Sequence, residues 1–254
     1  MIKNNFKKGY EIYDVNNYKK LNSLRNDIYK KFKKIFDLKE ADPNIGLNNF
    51  HKLIDKSSKE KLNSKRVKLI NEINKNKKIV EIIFDLFEDK IIQLFGSEIL
   101  VQKNVNLVIQ MPKDENPSEI HRDAPLNSSY EIVLWLPLVD CYSTKAMYIL
   151  DYKSTEKSIK YLKSKKSNWS EFEKISKEFS KNPRVNYGQA LLFHSGLLHG
   201  SKINKENETR ISLNLRFKNL FSPAGLKNQL QYYKPLNISN ITKIGARIDS
   251  KEKF

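Results

Sequence analysis

The sequence predicts an α+β fold in which a helical part precedes a strand-rich part. Before about residue 100, apolar residues recur at three- and four-residue steps, and after it short runs alternate between apolar and polar residues. No glycine-rich phosphate loop and no regular strand–helix alternation is present, which excludes P-loop and Rossmann folds. The pattern therefore indicates α+β, or a β-barrel or sandwich backed by helices.

The helical part contains two amphipathic stretches. Lysines separate the apolar residues of the first stretch, which are Leu21, Leu24, Ile28, Phe32 and Ile35. The second stretch covers residues 65–95, and Gly96 directly after it is typical of a helix C-terminus. Residues 41–47 lie between the two stretches and contain Pro43 and Gly46, so we expect a loop there.

Four strands are predicted in the second part, over residues 106–111, 130–139, 189–194 and 210–217. A lysine-rich insertion at residues 151–187 separates the second strand from the third and has a helical pattern. Ser170 and Glu173 match a capping box within it. Because this insertion is longer than most connections between strands, we expect it to form part of a helical lid or rim over the site.

The basic composition does not indicate a nucleic-acid-binding protein. The chain of 254 residues has 47 Lys+Arg against 29 Asp+Glu, a net charge of +18, but only 7 of the 47 are Arg and no recognition motif accompanies them. The single cysteine, Cys141, excludes an internal disulfide and fits a reducing compartment. No apolar run approaches the roughly 18 residues that span a membrane. We therefore expect a soluble cytoplasmic protein that binds neither nucleic acid nor membrane, while its oligomeric state stays unknown.

The first residues that indicate chemistry are His121 and Asp123. On an extended chain the side chains of residues i and i+2 point the same way, so an imidazole and a carboxylate converge on one ion. A third ligand from another strand would complete the facial triad that favours Fe(II). Arg122, between the two, should point away from the ion.

The strand at 210–217 has one polar face and one apolar face. Its polar face carries Arg210, Ser212, Asn214 and Arg216. If the apolar face packs on helices, the polar face lines an interior, where polar groups are costly unless they bind something. Arg210 with Ser212 could then hold a carboxylate. The alternative is an ordinary amphipathic edge strand with its polar face in water.

These motifs together resemble the Fe(II)/2-oxoglutarate-dependent oxygenases of the phytanoyl-CoA dioxygenase type. The matching segments are His121-x-Asp123, Phe193-His194-x-x-x-x-His199-Gly200-Ser201, Asn204, and Arg210-x-Ser212. The opening segment Gly9-Tyr10-Glu11-Ile12 is also similar, so the resemblance covers residues 9–217. A bacterial branch found among carbohydrate-biosynthesis genes looks most similar, through Leu94-Phe95-Gly96, Ala146-Met147-Tyr148, and the tail from Tyr232-Tyr233 to Ile244-Gly245.

The resemblance implies a double-stranded β-helix core, a cupin-like jelly roll, with helices packed around it. It implies three catalytic iron ligands: His121, Asp123 and His199. Arg210, assisted by Ser212, would bind the distal carboxylate of 2-oxoglutarate. Asn106 and Gln110 share a face of the first strand and could hydrogen-bond to 2-oxoglutarate or substrate. His194, five residues before His199, is expected to lie behind the ligands or in the core.

The activity that the resemblance implies is hydroxylation of a small molecule, with Fe(II), 2-oxoglutarate and O2 as cofactor and cosubstrates. The substrate would be a sugar, nucleotide sugar or polysaccharide precursor, and the basic surface would suit an anionic one. Residues 150–154 stand where the family usually has Pro-Gly-Ser-His, near the substrate mouth. Three alternatives stay open: desaturation or epimerisation in place of hydroxylation, a non-enzymatic jelly-roll binding protein, and an oxygenase acting on a non-carbohydrate metabolite.

We expect a single catalytic domain over residues 1–254. Residues 1–98 would be mainly helical support, and residues 99–220 would form the jelly-roll core with the helical insertion at about 151–187. Residues 221–254 would form a C-terminal tail.

Overall fold

The structure, a computed structural model, describes residues 6–55, 58–124, 128–164, 168–226 and 229–249. Its helices are α1 (Tyr18–Phe36), α2 (Pro43–Asn48), α3 (Phe50–Leu53), α4 (Lys59–Asn74), α5 (Ile79–Asp85), α6 (Glu88–Phe95), α7 (Tyr152–Leu162), α8 (Trp169–Phe179), α9 (Gln229–Tyr232) and α10 (Asn240–Asp249). Its strands are β1 (Tyr10–Asp14), β2 (Ile99–Gln102), β3 (Asn106–Gln110), β4 (Glu131–Pro137), β5 (Met147–Ile149), β6 (Gln189–His194), β7 (His199–Ser201), β8 (Arg210–Asn219) and β9 (Tyr233–Asn237).

The strands form one large antiparallel sheet and one small one. The large sheet has seven strands. Six of them follow the order β1-β6-β4-β8-β2-β9, and the seventh, β3, pairs with the first half of β8. The small sheet pairs β5 with β7, and isolated bridges extend it on both sides, from His121 to His199 and from Ile149 to Lys181. The predicted α+β fold is confirmed, and the closed jelly roll stays a prediction.

Helix α1 shows why the first helical part folds as it does. The Asn17 side chain caps its N-terminus by accepting a hydrogen bond of 2.9 Å from the Lys20 amide. Its apolar stripe is buried, as the three- and four-residue spacing predicts. The stripe consists of Leu21, Leu24, Ile28, Tyr29, Phe32 and Phe36. The helix ends at Phe36, and the next residue, Asp37, caps it with a left-handed φ of 56°.

Strand β8 has one face that packs on the helices and one face that points into the interior of the protein. The side chains on its apolar face are fully buried against helices, and one of them, Phe217, packs its ring 6.2 Å from that of Phe84 in α5. Burying each such side chain stabilises the fold by roughly 1.5–3 kcal/mol. The opposite, polar face, which begins with Arg210, therefore points into the molecule, as the sequence pattern predicts.

The predicted loop at residues 41–47 is wrong, because α2 lies there. Pro43 occupies the first helical turn, where proline loses no hydrogen bond, and the Asp42 side chain caps the helix. Gly46 is needed for packing, since a Cβ there would lie 1.8 Å from the Tyr29 hydroxyl oxygen. The predicted helical region at 65–95 is confirmed; it consists of three helices, α4, α5 and α6, and α4 begins earlier, at Lys59.

The insertion forms an antiparallel pair of helices, α7 and α8, behind the small sheet. Phe172 of α8 packs with residues on the outer side of that sheet, which are Ile120, Tyr148, Leu150 and Leu198. Helix α8 begins at Trp169 and is capped by Asn168, so the predicted capping box from Ser170 is wrong by two residues.

The C-terminal part adds an ordered strand to the large sheet. Strand β9 pairs with β2, and Tyr233 at its start is buried. Residues 227–228 and 250–254 of the predicted tail lie outside the described residues. Within the part of the chain that the structure describes, no helix has both the length and the apolar character needed to cross a membrane.

Candidate metal centre

Three predicted ligands meet where the small sheet faces the large one. His121 and His199 form a two-residue bridge in which each backbone amide donates to the other's carbonyl at 3.0 Å. Asp123 follows on the same side of the chain. The possible ligand atoms of the three residues all lie within 4.8 Å of one another, so modest side-chain rotation would bring them onto one ion.

Both histidine rings present Nε2 to the centre because their other nitrogen is already bound. Nδ1 of His121 donates to the Glu119 carbonyl at 2.7 Å, and Nδ1 of His199 donates to the Leu197 carbonyl at 2.9 Å. This arrangement fixes the tautomer with a free lone pair on Nε2. Burial, followed by the charge of the neighbouring His121, lowers the pKa of His199 to about 4, so this ring is neutral at neutral pH.

Asp123 completes the set and is held by Arg216. Its Oδ1 lies 3.9 Å from Nε2 of His121, while its Oδ2 accepts hydrogen bonds from Arg216 Nη2 at 2.8 Å and Nε at 3.2 Å. Two imidazoles and one carboxylate are the donor set of the facial triad, which suits Fe(II) and leaves further coordination positions open. The residues present therefore fit such an ion.

A cavity of about 110 Å³ connects the triad with Arg210. Its walls include Val133, Trp135 and Phe193, which make much of it apolar. The Phe193 ring stands edge-on to the His199 ring with the centroids 4.8 Å apart. The triad opens to solvent on the side of His121, whose side chain is 43% exposed, against 11% for Asp123.

Arg210 is a buried cation without an anionic partner among the described residues. Its Nη2 donates to the Ser201 hydroxyl at 2.8 Å, but its Nε and Nη1 make no hydrogen bond to any residue that the structure describes. Burial lowers the pKa of its guanidinium, yet an arginine stays protonated in proteins. An unpaired buried charge is strongly unfavourable, so the arrangement calls for an anion in the cavity.

The other predicted cosubstrate residues differ in burial and in their hydrogen-bond partners. Ser212 lies between Arg210 and Asn214 on the inner face of β8, and its buried hydroxyl has no partner within the described chain. Gln110, opposite Arg210 on β3, is buried and donates to the Lys202 carbonyl at 2.7 Å. Asn106 is exposed at the other end of β3. Ser212 thus stands two positions from Arg210 on the same face of the strand, and none of Ser212, Gln110 and Asn106 is among the residues that line the cavity.

His194 and Arg122 belong to a second cavity of about 370 Å³ on the outer side of the bridge. Helix α7 forms its opposite wall. His194 donates from Nε2 to the Ser129 carbonyl at 2.8 Å and accepts from the Gly196 amide at Nδ1, so both ring nitrogens are engaged away from the triad. Arg122 points away from the triad, as the alternation along an extended chain predicts.

Two contributors to the site were not assigned from the sequence. The alternation along β8 places Arg216 on the inner face of its strand, but its contact with Asp123 spans 93 positions and has no local signature. Ser201 stood inside the recognised histidine motif, yet only its contact with Arg210 gives it a role. The regular alternation on β8 was a usable signal for both arginines, since it placed them in the interior.

Comparison with known proteins gives relatives in fold and none in sequence. No protein-family model and no curated protein matches the sequence. Among solved structures, the non-heme monooxygenase ThoJ in a nickel complex is similar, with a TM-score of 0.50, 13% identity, and coverage of 94% of this chain and 84% of the other. SnoK, a non-heme alpha-ketoglutarate-dependent carbocyclase from nogalamycin biosynthesis, has a TM-score of 0.50, 12% identity, and coverage of 94% and 92%. EctD from S. alaskensis, in its apo form, has a TM-score of 0.51, 11% identity, and coverage of 91% and 81%. The chain therefore shares the fold of these proteins.

Proposed function

We propose that this protein is an Fe(II)- and 2-oxoglutarate-dependent oxygenase. The observation that carries the proposal is that one cavity contains both a facial triad and a buried arginine without an anionic partner among the described residues. The triad alone would suit several metal ions and the arginine alone several anions. Together they match a ligand with a metal-chelating end and a second carboxylate, which is the chemistry of 2-oxoglutarate.

The chain's residues then have distinct tasks. His121, Asp123 and His199 would hold the ion and leave positions for the cosubstrates. Arg210 would bind the far carboxylate, with the hydroxyls of Ser201 and Ser212 as additional donors. When bound, Fe(II) with 2-oxoglutarate and O2 would supply the oxidation, in which 2-oxoglutarate loses CO2 to become succinate, one oxygen atom of O2 goes to succinate and the other hydroxylates the substrate. Trp135 and Phe193 in the cavity wall would exclude water.

The wider architecture is consistent with this role. In our proposal the large and small sheets are the two halves of a double-stranded β-helix, and the described residues belong to one catalytic domain. The bridges that extend the small sheet support this, as does the fold shared with the non-heme oxygenases. We include in the same proposal that the protein is of the phytanoyl-CoA dioxygenase type, which its sequence resembles.

The substrate in this proposal is a small molecule that approaches on the exposed side of His121. The segments resembling the carbohydrate-biosynthesis branch favour a sugar, nucleotide sugar or polysaccharide precursor. A net charge of +18 would attract an anionic member of that class. The SnoK structure bears the name of a carbocyclase from nogalamycin biosynthesis, which supports small-molecule chemistry on this fold.

An anaerobic titration with Fe(II) and then 2-oxoglutarate tests the proposed function. Wild type should bind one Fe(II) per chain, and 2-oxoglutarate should bind tightly only when the metal is present. His199→Ala should bind Fe(II) at least about tenfold more weakly, because it removes one of three ligands. The matched control is His194→Asn, which changes a nearby histidine outside the triad and should retain the metal. A wild-type protein that binds no Fe(II) would instead support a non-enzymatic jelly-roll protein.

A further inference from the structure

The two oxygens of Asp123 are in different environments. Oδ1 faces Nε2 of His121, whereas Oδ2 accepts two hydrogen bonds from the guanidinium of Arg216, at 2.8 and 3.2 Å. A carboxylate binds a metal through one oxygen or through both. Because Arg216 occupies Oδ2, only Oδ1 is free for an ion, and the coordination position that Oδ2 would take stays open.

Arg216 is itself held from the other side. Its Nη1 donates to Gln102 Oε1 on β2 and to the Tyr232 hydroxyl, both at 3.2 Å. Arg216 is therefore engaged at all three of its nitrogens, and its side chain is only 10% exposed. This contrasts with Arg210, whose Nε and Nη1 have no partner within the described chain. Arg216 is thus placed to orient a group of the protein, and Arg210 is placed to bind a ligand.

The C-terminal segment supplies part of this support. Tyr232 ends α9, and the next residue, Tyr233, begins β9 and donates its hydroxyl hydrogen to the buried carboxylate of Glu131. Strand β9 pairs with β2, where Gln102 lies opposite Tyr233. The segment therefore forms the wall behind Arg216, on the side opposite Asp123.

We propose that Arg216 is a positioning residue that limits Asp123 to one-oxygen metal binding, and that Tyr232 of the C-terminal segment holds Arg216 for this task. The inference rests on the proposed function, because it needs a metal at the triad. It assigns a role in the metal centre to residues from β8 and from the C-terminal segment, neither of which supplies a ligand. A planar guanidinium fork fits this task, whereas an ammonium on a flexible stem does not hold one carboxylate oxygen at two points.

The test compares Arg216→Lys with Arg122→Lys, using Co(II) under anaerobic conditions as the probe. The two variants make the same chemical change, but Arg122 lies between the ligands in sequence and points into the outer cavity. Arg216→Lys should bind Co(II) about 10–100-fold more weakly, as expected for a lost partner of a metal ligand. At saturating Co(II), its visible spectrum should also change, because the released Oδ2 alters the coordination geometry. Arg122→Lys should match wild type in both measurements.

The spectrum separates a positioning role from a merely structural one, since lower stability alone would not change the saturated coordination geometry. Tyr232→Phe should weaken Co(II) binding by a smaller factor than Arg216→Lys, and an unchanged affinity would remove Tyr232 from the proposal. If Arg216→Lys does not fold, Arg216→Gln, which keeps an NH2 donor, gives the same comparison. Wild-type affinity and spectrum in the Arg216 variant would overturn this inference and leave the proposed function standing. Failure of wild type to bind Co(II) would overturn the proposed function itself.

Discussion

Two arginines on one face of β8 have opposite surroundings, and this contrast defines the site at the scale of residues. Arg210 and Arg216 are six positions apart, about 20 Å at the usual rise of a strand. Arg216 forms an ion pair with Asp123, while Arg210 has only the Ser201 hydroxyl among the described residues. The buried charge without a counter-ion is therefore at the end of the strand where an external carboxylate is expected.

Replacing Arg210 by leucine should remove the anchor for 2-oxoglutarate. We expect its dissociation constant to rise by about 100-fold or more, since removing one partner of a buried charged pair costs about 2–5 kcal/mol. Metal binding should persist, because Arg210 is not a ligand. Calorimetric titration of the metal-loaded protein measures both affinities, with Arg184→Leu, which changes an exposed arginine, as the control. Unchanged 2-oxoglutarate affinity in Arg210→Leu would move the anchor elsewhere.

At the scale of residues, the sequence predicts contacts between residues that are close to each other in the chain. His121 and Asp123 are two positions apart, so strand geometry alone places them together. The bond from Arg216 to Asp123 joins residues that the chain brings together only through the pairing of distant strands. Residue spacing on β8 could show that Arg216 points inward, but it could not show which carboxylate it meets.

At the scale of elements, the α7–α8 hairpin supports the small sheet that carries His199. None of its described residues lines the cavity of the triad, and its apolar side covers the outer face of β5 and β7. The Thr155 hydroxyl in α7 accepts a hydrogen bond of 3.2 Å from the Leu198 amide, next to the ligand. The insertion thus lies beside the site rather than across it, and α7 lines the outer cavity.

Two aromatic residues of α8 provide a matched test of this packing. Phe172 is fully buried, whereas Trp169, three positions earlier, is 52% exposed. Phe172→Ala should lower the free energy of unfolding by about 3–5 kcal/mol, the usual loss for a buried phenylalanine. Trp169→Ala should lower it by about 1 kcal/mol or less, since its ring contributes mainly a contact with Phe172. Urea unfolding measures both values, and equal losses would contradict the proposed packing.

Elements with a long pattern were predictable, and short ones were not. The sequence of β8 alternates between polar and apolar residues over eight positions, and β6 coincides with a clear apolar run. Both strands are therefore predictable from the sequence. Strands β5 and β7 have three residues each and are defined by their pairing rather than by any periodicity. Helix α2 was missed because Pro43 and Gly46 are typical of loops, although a proline at a helix start is equally compatible with a helix.

At the scale of the whole molecule, two sheets and a helical layer divide polar from apolar side chains. The helices cover the outer face of the large sheet, and the polar residues of β8 face the interior with the triad. Strands β1 and β9 lie at the two ends of the strand order of this sheet. The change of periodicity near residue 100 was enough to predict α+β. The strand order was not predictable, because β1 pairs with β6 across most of the chain and no local pattern specifies such a pairing.

The central claim is that one cavity holds both Fe(II) and 2-oxoglutarate, and an anaerobic crystal structure with both ligands tests it most directly. We expect one ion bound by Nε2 of His121, Nε2 of His199 and Oδ1 of Asp123, at the distances of about 2.0–2.2 Å usual for such ligands. The far carboxylate of 2-oxoglutarate should lie on the guanidinium of Arg210. An ion bound outside this triad, or a dicarboxylate that does not contact Arg210, would contradict the account.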